Sequence, residues 1–430
     1  MAVPPRAAES GLSRPPGAVK IIAAACVGNA LEWYDIAIYS FFAVYVAHAF
    51  FPAGDATSSL LLALGTFGAS FLIRPIGAIV LGSYADRAGR KPALTLSIWL
   101  MVLGTLLICV MPPYASIGML APLGILVARL IQGFSAGGEF GSATALMVEH
   151  LPHRRGYAAS WQFTSQAAAT LLAATLGTVL TSTLTAEQLQ SWGFRIPFVV
   201  GLLVGPVGYY IRRHVPEAPE FVTASAGADQ RAPGRQVLRE QKSRVLLTIG
   251  VLAVTTCLNY LLSYMPTYAI KQLHLPASTG FAAALVGGIA LLIATPFAGH
   301  FSDRFGQIRF MRPAAVLILL LIYPLFLLLV TFPGIGVLLG MLCILSVLKA
   351  AYFGPMAALL ANLFPAETRA TGMAVGYNIG VAIFGGFTPL IATWLISVTG
   401  SPLAPSFWVM FTGVVSLASL GVISGKLGLR

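Results

Sequence analysis

Charge is scarce in this sequence. Asp, Glu, Lys and Arg make up only 9% of the 430 residues, while hydrophobic residues make up 57%. A soluble domain carries about 25% charged residues, so this composition cannot coat a water-soluble globule, and the bilayer must serve as its solvent. Acids are the scarcer sign, with 14 Asp and Glu against 26 Lys and Arg. Cysteine is equally sparse. Cys26, Cys109, Cys257 and Cys343 all fall inside apolar runs without metal-like spacing, as expected of buried thiols in membrane helices. No His/Cys/carboxylate cluster with ligand spacing occurs, nor a G-x-S-x-G nucleophile elbow. The loops are too short to house a catalytic or sensory domain. Metal, cofactor and enzyme chemistry are therefore not expected.

What is present is a succession of apolar runs. At about 20 residues per span plus short connections, the chain accommodates about twelve transmembrane helices. Residues 1–19 read as a Pro-rich tail with no cleavable signal ahead of the first span. Residues 20–212 and 244–430 form two six-helix halves, joined by the one long polar stretch at 213–243. The formal net charge of +12 raises the possibility of a nucleic-acid partner, but its placement answers otherwise. Of the 26 Lys and Arg, 21 fall in connections that alternate to one side, leaving Arg74, Arg129, Arg195, Lys271 and Lys349 elsewhere. Such asymmetry is the positive-inside rule with both termini cytoplasmic. The charge is topological, and the expected partner is the lipid bilayer.

The two halves repeat each other. Gly82-Ser-Tyr-Ala-Asp86-Arg87-Ala-Gly89-Arg90-Lys91, a polar knot between spans 2 and 3, returns as Gly299-His-Phe-Ser-Asp303-Arg304-Phe-Gly306 after 217 positions. Pro152-His-Arg-Arg155 returns as Pro365-Ala-Glu-Thr-Arg369 after 214. Near-equal offsets indicate one half written twice. The copied loop reads either as a static cluster of topogenic charge or as a latch that forms and breaks with movement, and the second copy favours the latch.

Polar residues at membrane depth are costly and by default functional. Span 1 carries Asn29, Glu32 and Asp35 at i, i+3, i+6 on one face. Span 2 carries Arg74, followed by Pro75, whose ring kinks a helix; Arg74 either pairs with a span-1 acid or meets an anion. On span 4, Arg129, Gln132, Ala136 and Glu139 fall within about an 80° arc, beside a small-residue stripe of Gly133, Gly137 and Gly141. Gln162 and Gln166 share a face of span 5, either as ligand donors or as inter-helix glue. Arg195 sits near the mouth of span 6. Span 7 supplies Asn259 and Tyr264, and span 10 supplies Lys349 with no local acid.

These motifs resemble a known family. The copied Gly-x-x-x-Asp-Arg-x-Gly-Arg-Lys loop and Arg129-Leu-Ile-Gln132-Gly133 resemble signatures of the major facilitator superfamily. Gly28-Asn29…Glu32…Asp35, Leu72-Ile-Arg74-Pro75-Ile-Gly77 and Trp192-Gly-Phe-Arg195-Ile-Pro197-Phe are similar to its metabolite:proton symporter branch. Phe50-Phe-Pro-Ala, Tyr264-Met-Pro-Thr-Tyr268 and Ala382-Ile-Phe-Gly-Gly-Phe-Thr-Pro389 are especially similar to citrate/tricarballylate proton symporters. The resemblance implies an all-α membrane protein of two pseudo-symmetric six-helix bundles rocking about a midplane site. It implies a monomer in a bacterial inner membrane that takes up a small carboxylate with protons as coupling ion.

On that reading Asn29, Arg74, Arg129, Gln132, Gln162, Gln166, Asn259, Tyr264 and Lys349 are the substrate-binding candidates. Glu32, Asp35, Arg129 and Glu139 are the proton-coupling candidates, with no acid singled out. Gly82, Asp86, Arg87, Gly89, Arg90, Asp303 and Arg304 are the cytoplasmic gate candidates. Citrate or tricarballylate is the expected cargo. The alternatives are 2-oxoglutarate or another dicarboxylate, shikimate, proline or betaine, or proton-coupled export.

Overall fold

The computed structural model describes residues 18–52, 54–88, 90–138, 140, 144, 147–148, 151, 153–202, 205–206, 237, 239–365 and 368–428. Among them all regular structure is helical. Eight helices are long and apolar enough to cross a membrane by length and composition, and shorter apolar helices supply further spans. With Ala18–Phe41, which opens span 1, they make the twelve-span arrangement of two six-helix halves. The proposed linker at 213–243 falls largely outside the described residues, as do Glu139 and Gly89.

Several spans break where the sequence gives reason. Span 1 runs Ala18–Phe41, then Ala43–Phe50. Span 2 runs Ala56–Leu72 and restarts at Arg74–Ala88, because Pro75 lacks a donor and its ring crowds the preceding turn. Its start is capped by Asp55, which accepts from the backbone N–H of Thr57 and Ser58. Span 3 is Arg90–Val110. Span 4 is Leu120–Ser135, tightening into a 3₁₀ turn at Ala136–Gly138. Span 5 is Arg155–Thr183, and span 6 includes Gly193–Leu202. Spans 7 to 10 are Lys242–Gln272, Ala277–Phe305, Gln307–Thr331 and Ile335–Leu363. Span 11 is split by a π turn at Ala382–Gly386 between Arg369–Val381 and Thr388–Thr399. Span 12 is Ala404–Leu427.

The polar knot is less of a loop than its composition suggests. Helix continues from Arg74 through Ala88, so Gly82, Asp86 and Arg87 lie on the last turns of span 2. The repeat behaves alike: span 8 stays helical to Phe305, and Gly306 alone turns the chain, at φ 93°. That left-handed conformation explains the final glycine of the motif.

Glycines also set the spacing of spans 2 and 4. A Cβ on Gly133 would lie 1.9 Å from the Ser70 carbonyl oxygen, and one on Gly137 would lie 2.1 Å from that of Arg74. The small-residue stripe therefore brings two backbones together, and it places Arg129 against span 2.

The halves touch along their length. At the end holding the copied loops, Asp303 meets Gly156 and Tyr157. In the middle, Trp33 contacts Tyr260, with ring centroids 5.9 Å apart. At the opposite end, Phe281 of span 8 packs against Phe41 and Phe42 of span 1.

Candidate functional site

Span 1 brings both of its described acids to buried positions. Glu32 pairs with Arg74 at 3.1 Å, and the Arg74 guanidinium lies 4.4 Å from the Phe71 ring centre. Of the two partners the sequence allowed Arg74, this conformation takes the acid. Among the described residues Asp35 meets no arginine directly. Its Oδ2 accepts from the Thr105 hydroxyl at 2.9 Å, and that hydroxyl accepts from Gln132 Nε2 at 2.9 Å. Gln132 Oε1 in turn accepts from Arg129 Nη1 at 2.7 Å. Three hydrogen bonds thus connect Asp35 on span 1 to Arg129 on span 4, through Thr105 on span 3 and Gln132 on span 4.

Arg129 is only 2% exposed. Its Nη2 donates to Ser70 Oγ at 3.1 Å, and its guanidinium lies over the rings of Tyr39 and Phe67, at 4.5 and 5.1 Å. Among the described residues it has no ion-pair partner; the cation is held by neutral oxygens and two ring faces, which favour a positive charge. Phe67 and Phe71 both contact Tyr260 of the second half, at 5.9 and 5.4 Å. The two arginines therefore lie around one aromatic cluster at the junction of the halves.

The second half contributes one cation. Lys349 is 3% exposed, and its Nζ donates to Asn259 Oδ1 at 2.5 Å. It also lies 4.9 Å from the Phe353 ring centre. Among the described residues it has no ion-pair partner. Asn259 precedes Tyr260, so Lys349 joins the same central layer as the arginines.

Span 5 divides its two glutamines. Gln162 Nε2 donates to Asn29 Oδ1 at 3.0 Å, and Asn29 Nδ2 donates back to the Gln162 carbonyl at 2.7 Å and to Ser165 Oγ at 2.8 Å. Asn29 and Gln162 are thus bound to each other. Gln166, equally buried, has no partner at either amide atom among the described residues. Tyr264 stands apart from the cations and accepts from Thr393 at 2.8 Å. Arg195 donates to the carbonyls of Met111 and Ser191, at 2.8 and 3.3 Å, and staples connections together.

The gate candidates are described in part. Asp303 accepts from the N–H of Gly156 and of Tyr157, at 2.6 and 2.9 Å, capping span 5 from the other half. Arg155 Nη1 donates to Asn362 Oδ1, whose own amide donates to Gln307, each at 3.1 Å. Arg304 is exposed and its guanidinium lies 5.9 Å from the ring centre of neighbouring Phe305. The side chains of Asp86, Arg87 and Arg90 lie outside what the structure describes, as does Gly89.

Reading the sequence missed Thr105, Ser70 and the Phe163–Phe353 stack, whose ring centres are 4.2 Å apart. A lone threonine or phenylalanine in an apolar span carries no signal of its own. Only their partners identify them.

Two helical halves meeting around buried cations, acids and amides define a membrane carrier for small molecules. The Major Facilitator Superfamily pattern matches residues 25–376. The chain belongs to that superfamily. It is 38% identical over 392 residues to a citrate-proton symporter of Klebsiella pneumoniae, covering 91% of this chain and 88% of the relative. It is 33% identical over 411 residues to a proline/betaine transporter of Escherichia coli K12, covering 93% and 82%. The solved structure of the xylose transporter XylE from E. coli, in a partially occluded inward-open conformation, superposes with a TM-score of 0.75. That match has 16% identity and covers 95% of this chain and 98% of the other.

Proposed function

We propose that this protein is a proton-coupled symporter that takes up a small carboxylate, citrate or a related tricarboxylate such as tricarballylate, by alternating access in a bacterial inner membrane. The observation that carries the reading is Lys349, a buried cation held by a neutral amide and a ring, in the same layer as Arg74 and Arg129. With Glu32 opposite Arg74 and Asp35 linked to Arg129, the described centre carries one positive charge more than it neutralises. An anionic guest supplies the missing charge, and guanidinium forks suit its carboxylates. The citrate-proton symporter relative, with 88% of its length matched, supports the same cargo.

Protons follow from the electrical cost. Moving one uncompensated negative charge inward against an inside-negative potential costs about 2.3 kcal/mol per 100 mV. A polyanion therefore needs as many protons as charges to avoid working against the field. Glu32, Asp35 and Glu139 are the acids proposed to carry them. The basic connections lie on the cytoplasmic side in this reading, and no metal or cofactor takes part.

Proline and betaine transporters are also relatives, and the rings of Trp33, Phe67, Phe71 and Tyr260 invite a quaternary ammonium. Against that reading, Arg74 and Arg129 already lie over the rings of Phe71 and Phe67. Uptake of radiolabelled citrate into proteoliposomes, with and without an imposed inward proton gradient, tests the proposal. Gradient-stimulated uptake, competed by tricarballylate and not by betaine, is expected. Competition by betaine with none by tricarballylate would overturn the cargo.

A further inference from the structure

We propose that Gln166 receives a protonated carboxyl group of the cargo, so that one coupled proton enters on the substrate itself. This rests on the carboxylate reading above and adds where one of the protons travels.

Gln166 is 2% exposed, and among the described residues neither Nε2 nor Oε1 has a partner. Its neighbour one turn earlier, Gln162, commits its amide nitrogen to Asn29 and leaves only Oε1 open. The contrast separates a side chain used as inter-helix glue from one left open. Buried amides are rarely left without partners, so an open one calls for an explanation.

The surrounding contacts place that amide. On span 5, Gln162 faces span 1, Phe163 stacks on Phe353 of span 10, and Ala167 packs with Ala350 of span 10 and Leu291 of span 8. At 100° per residue, position 166 lies between the bearings of 162 and 163. It therefore faces the seam between span 1 of one half and span 10 of the other. The pairings 163 with 353 and 167 with 350 put Gln166 level with the turn that carries Lys349. The ammonium and the open amide thus border one region from opposite halves.

The chemistry of the amide selects its complement. A carboxamide presents one donor and one acceptor side by side. An ionised carboxylate offers acceptors only and would set lone pairs against Oε1. An ammonium offers donors only and would oppose Nε2. A hydroxyl satisfies one atom at a time. A carboxylic acid presents one donor and one acceptor at matching spacing: its O–H donates to Oε1 while its C=O accepts from Nε2. Lys349 then takes an ionised carboxylate of the same molecule.

The test compares citrate with citrate in which one terminal carboxyl is a carboxamide, a group that keeps donor and acceptor at every pH. Equilibrium binding of each to the full-length protein in detergent is measured from pH 5 to 8. The ratio of affinities, citrate over monoamide, should fall by about tenfold per pH unit above the last ionisation of citrate, because the protein's own titration cancels in the ratio. Gln166→Leu should weaken the monoamide by roughly tenfold and flatten the ratio. The wild-type ratio decides the matter even if the variant fails to fold. A ratio independent of pH, with citrate still bound, overturns this inference and leaves the carrier of carboxylates standing. Binding of neither compound removes both.

Discussion

The Asp303 carboxylate accepts the backbone N–H of Gly156 at 2.6 Å, joining the last turn of span 8 to the first turn of span 5 in the other half. Tyr157 donates to its second oxygen at 2.9 Å. One acid thus satisfies two of the orphan donors that begin span 5, where the helix dipole also favours negative charge.

Breaking this contact should loosen that end of the molecule. Replacing a capping acid by alanine costs about 0.5–2 kcal/mol, which lowers the population of the joined arrangement by roughly 2- to 30-fold. Asp303→Ala should therefore speed maleimide labelling of a cysteine placed at Ser160, a buried position just inside the contact. Gly156→Ala should act in the same direction, because its Cβ would come within 2.7 Å of the Gly299 carbonyl oxygen. Unchanged labelling in both variants would mean the contact does not hold the halves together.

Glu32 and Arg74 form a buried pair at 3.1 Å, and breaking such a pair by removing one partner costs about 3–5 kcal/mol. Arg74→Met should sharply lower the melting temperature in detergent. The double variant Arg74→Met with Glu32→Gln should recover most of that loss while remaining inactive in uptake. Full recovery of transport in the double variant would remove the pair from the mechanism.

Thr105 serves two neighbours at once, accepting from Gln132 and donating to Asp35. Thr105→Val keeps the shape and strands two buried polar atoms, at a cost of about 1–3 kcal/mol each. Proton-driven uptake should fall at least tenfold, and Thr105→Ser should restore it. Equal activity of the valine and serine variants would reduce Thr105 to a packing residue.

Asp55 caps span 2 at the surface, and its carboxyl is held below the ordinary carboxylate range, chiefly by the Ser58 hydroxyl and then by the backbone N–H of Ser58. A depressed value stabilises the ionised, capped form. Its contribution is full above the unfolded value, about 3.9, and fades as pH falls through the lower folded value. Asp55→Ala should therefore reduce the melting temperature at pH 6, and that deficit should shrink as pH falls below the ordinary carboxylate range. Asp55→Asn, still a competent cap, should retain most of the stability throughout. A deficit of the alanine variant that grew as pH fell would contradict this account.

The fold was legible because membrane spans announce themselves by composition and length, and the basic connections and the two-copy loop fixed the halves. Arg74, Arg129 and Lys349 stood out for the same reason: a charge in an apolar run needs an explanation. Their partners were less legible. Whether Arg74 would meet an acid or an anion depended on the rotation of span 1 against span 2, which spacing alone leaves open. Gln162 and Gln166 look identical in the sequence, yet one is committed to Asn29 and the other is open, a difference set entirely by which helix lies opposite. Thr105 gave no signal, since a single hydroxyl in a span usually bonds its own backbone; here the Met101 carbonyl, at 3.1 Å, competes with Asp35, at 2.9 Å, for the one proton. The polar knot proved mostly helical because its residues have no intrinsic need to leave the helix before the final glycine.

The most direct measurement of the central claim is proton movement caused by the cargo itself. Proteoliposomes are placed in a lightly buffered medium with a pH-sensitive dye outside, and citrate is added without any imposed gradient. Entry of an anion together with protons should alkalinise the medium. The signal should vanish in the Arg129→Ala variant and should not follow addition of betaine. Citrate entering with no change in external pH, or betaine producing the same alkalinisation, would contradict the account.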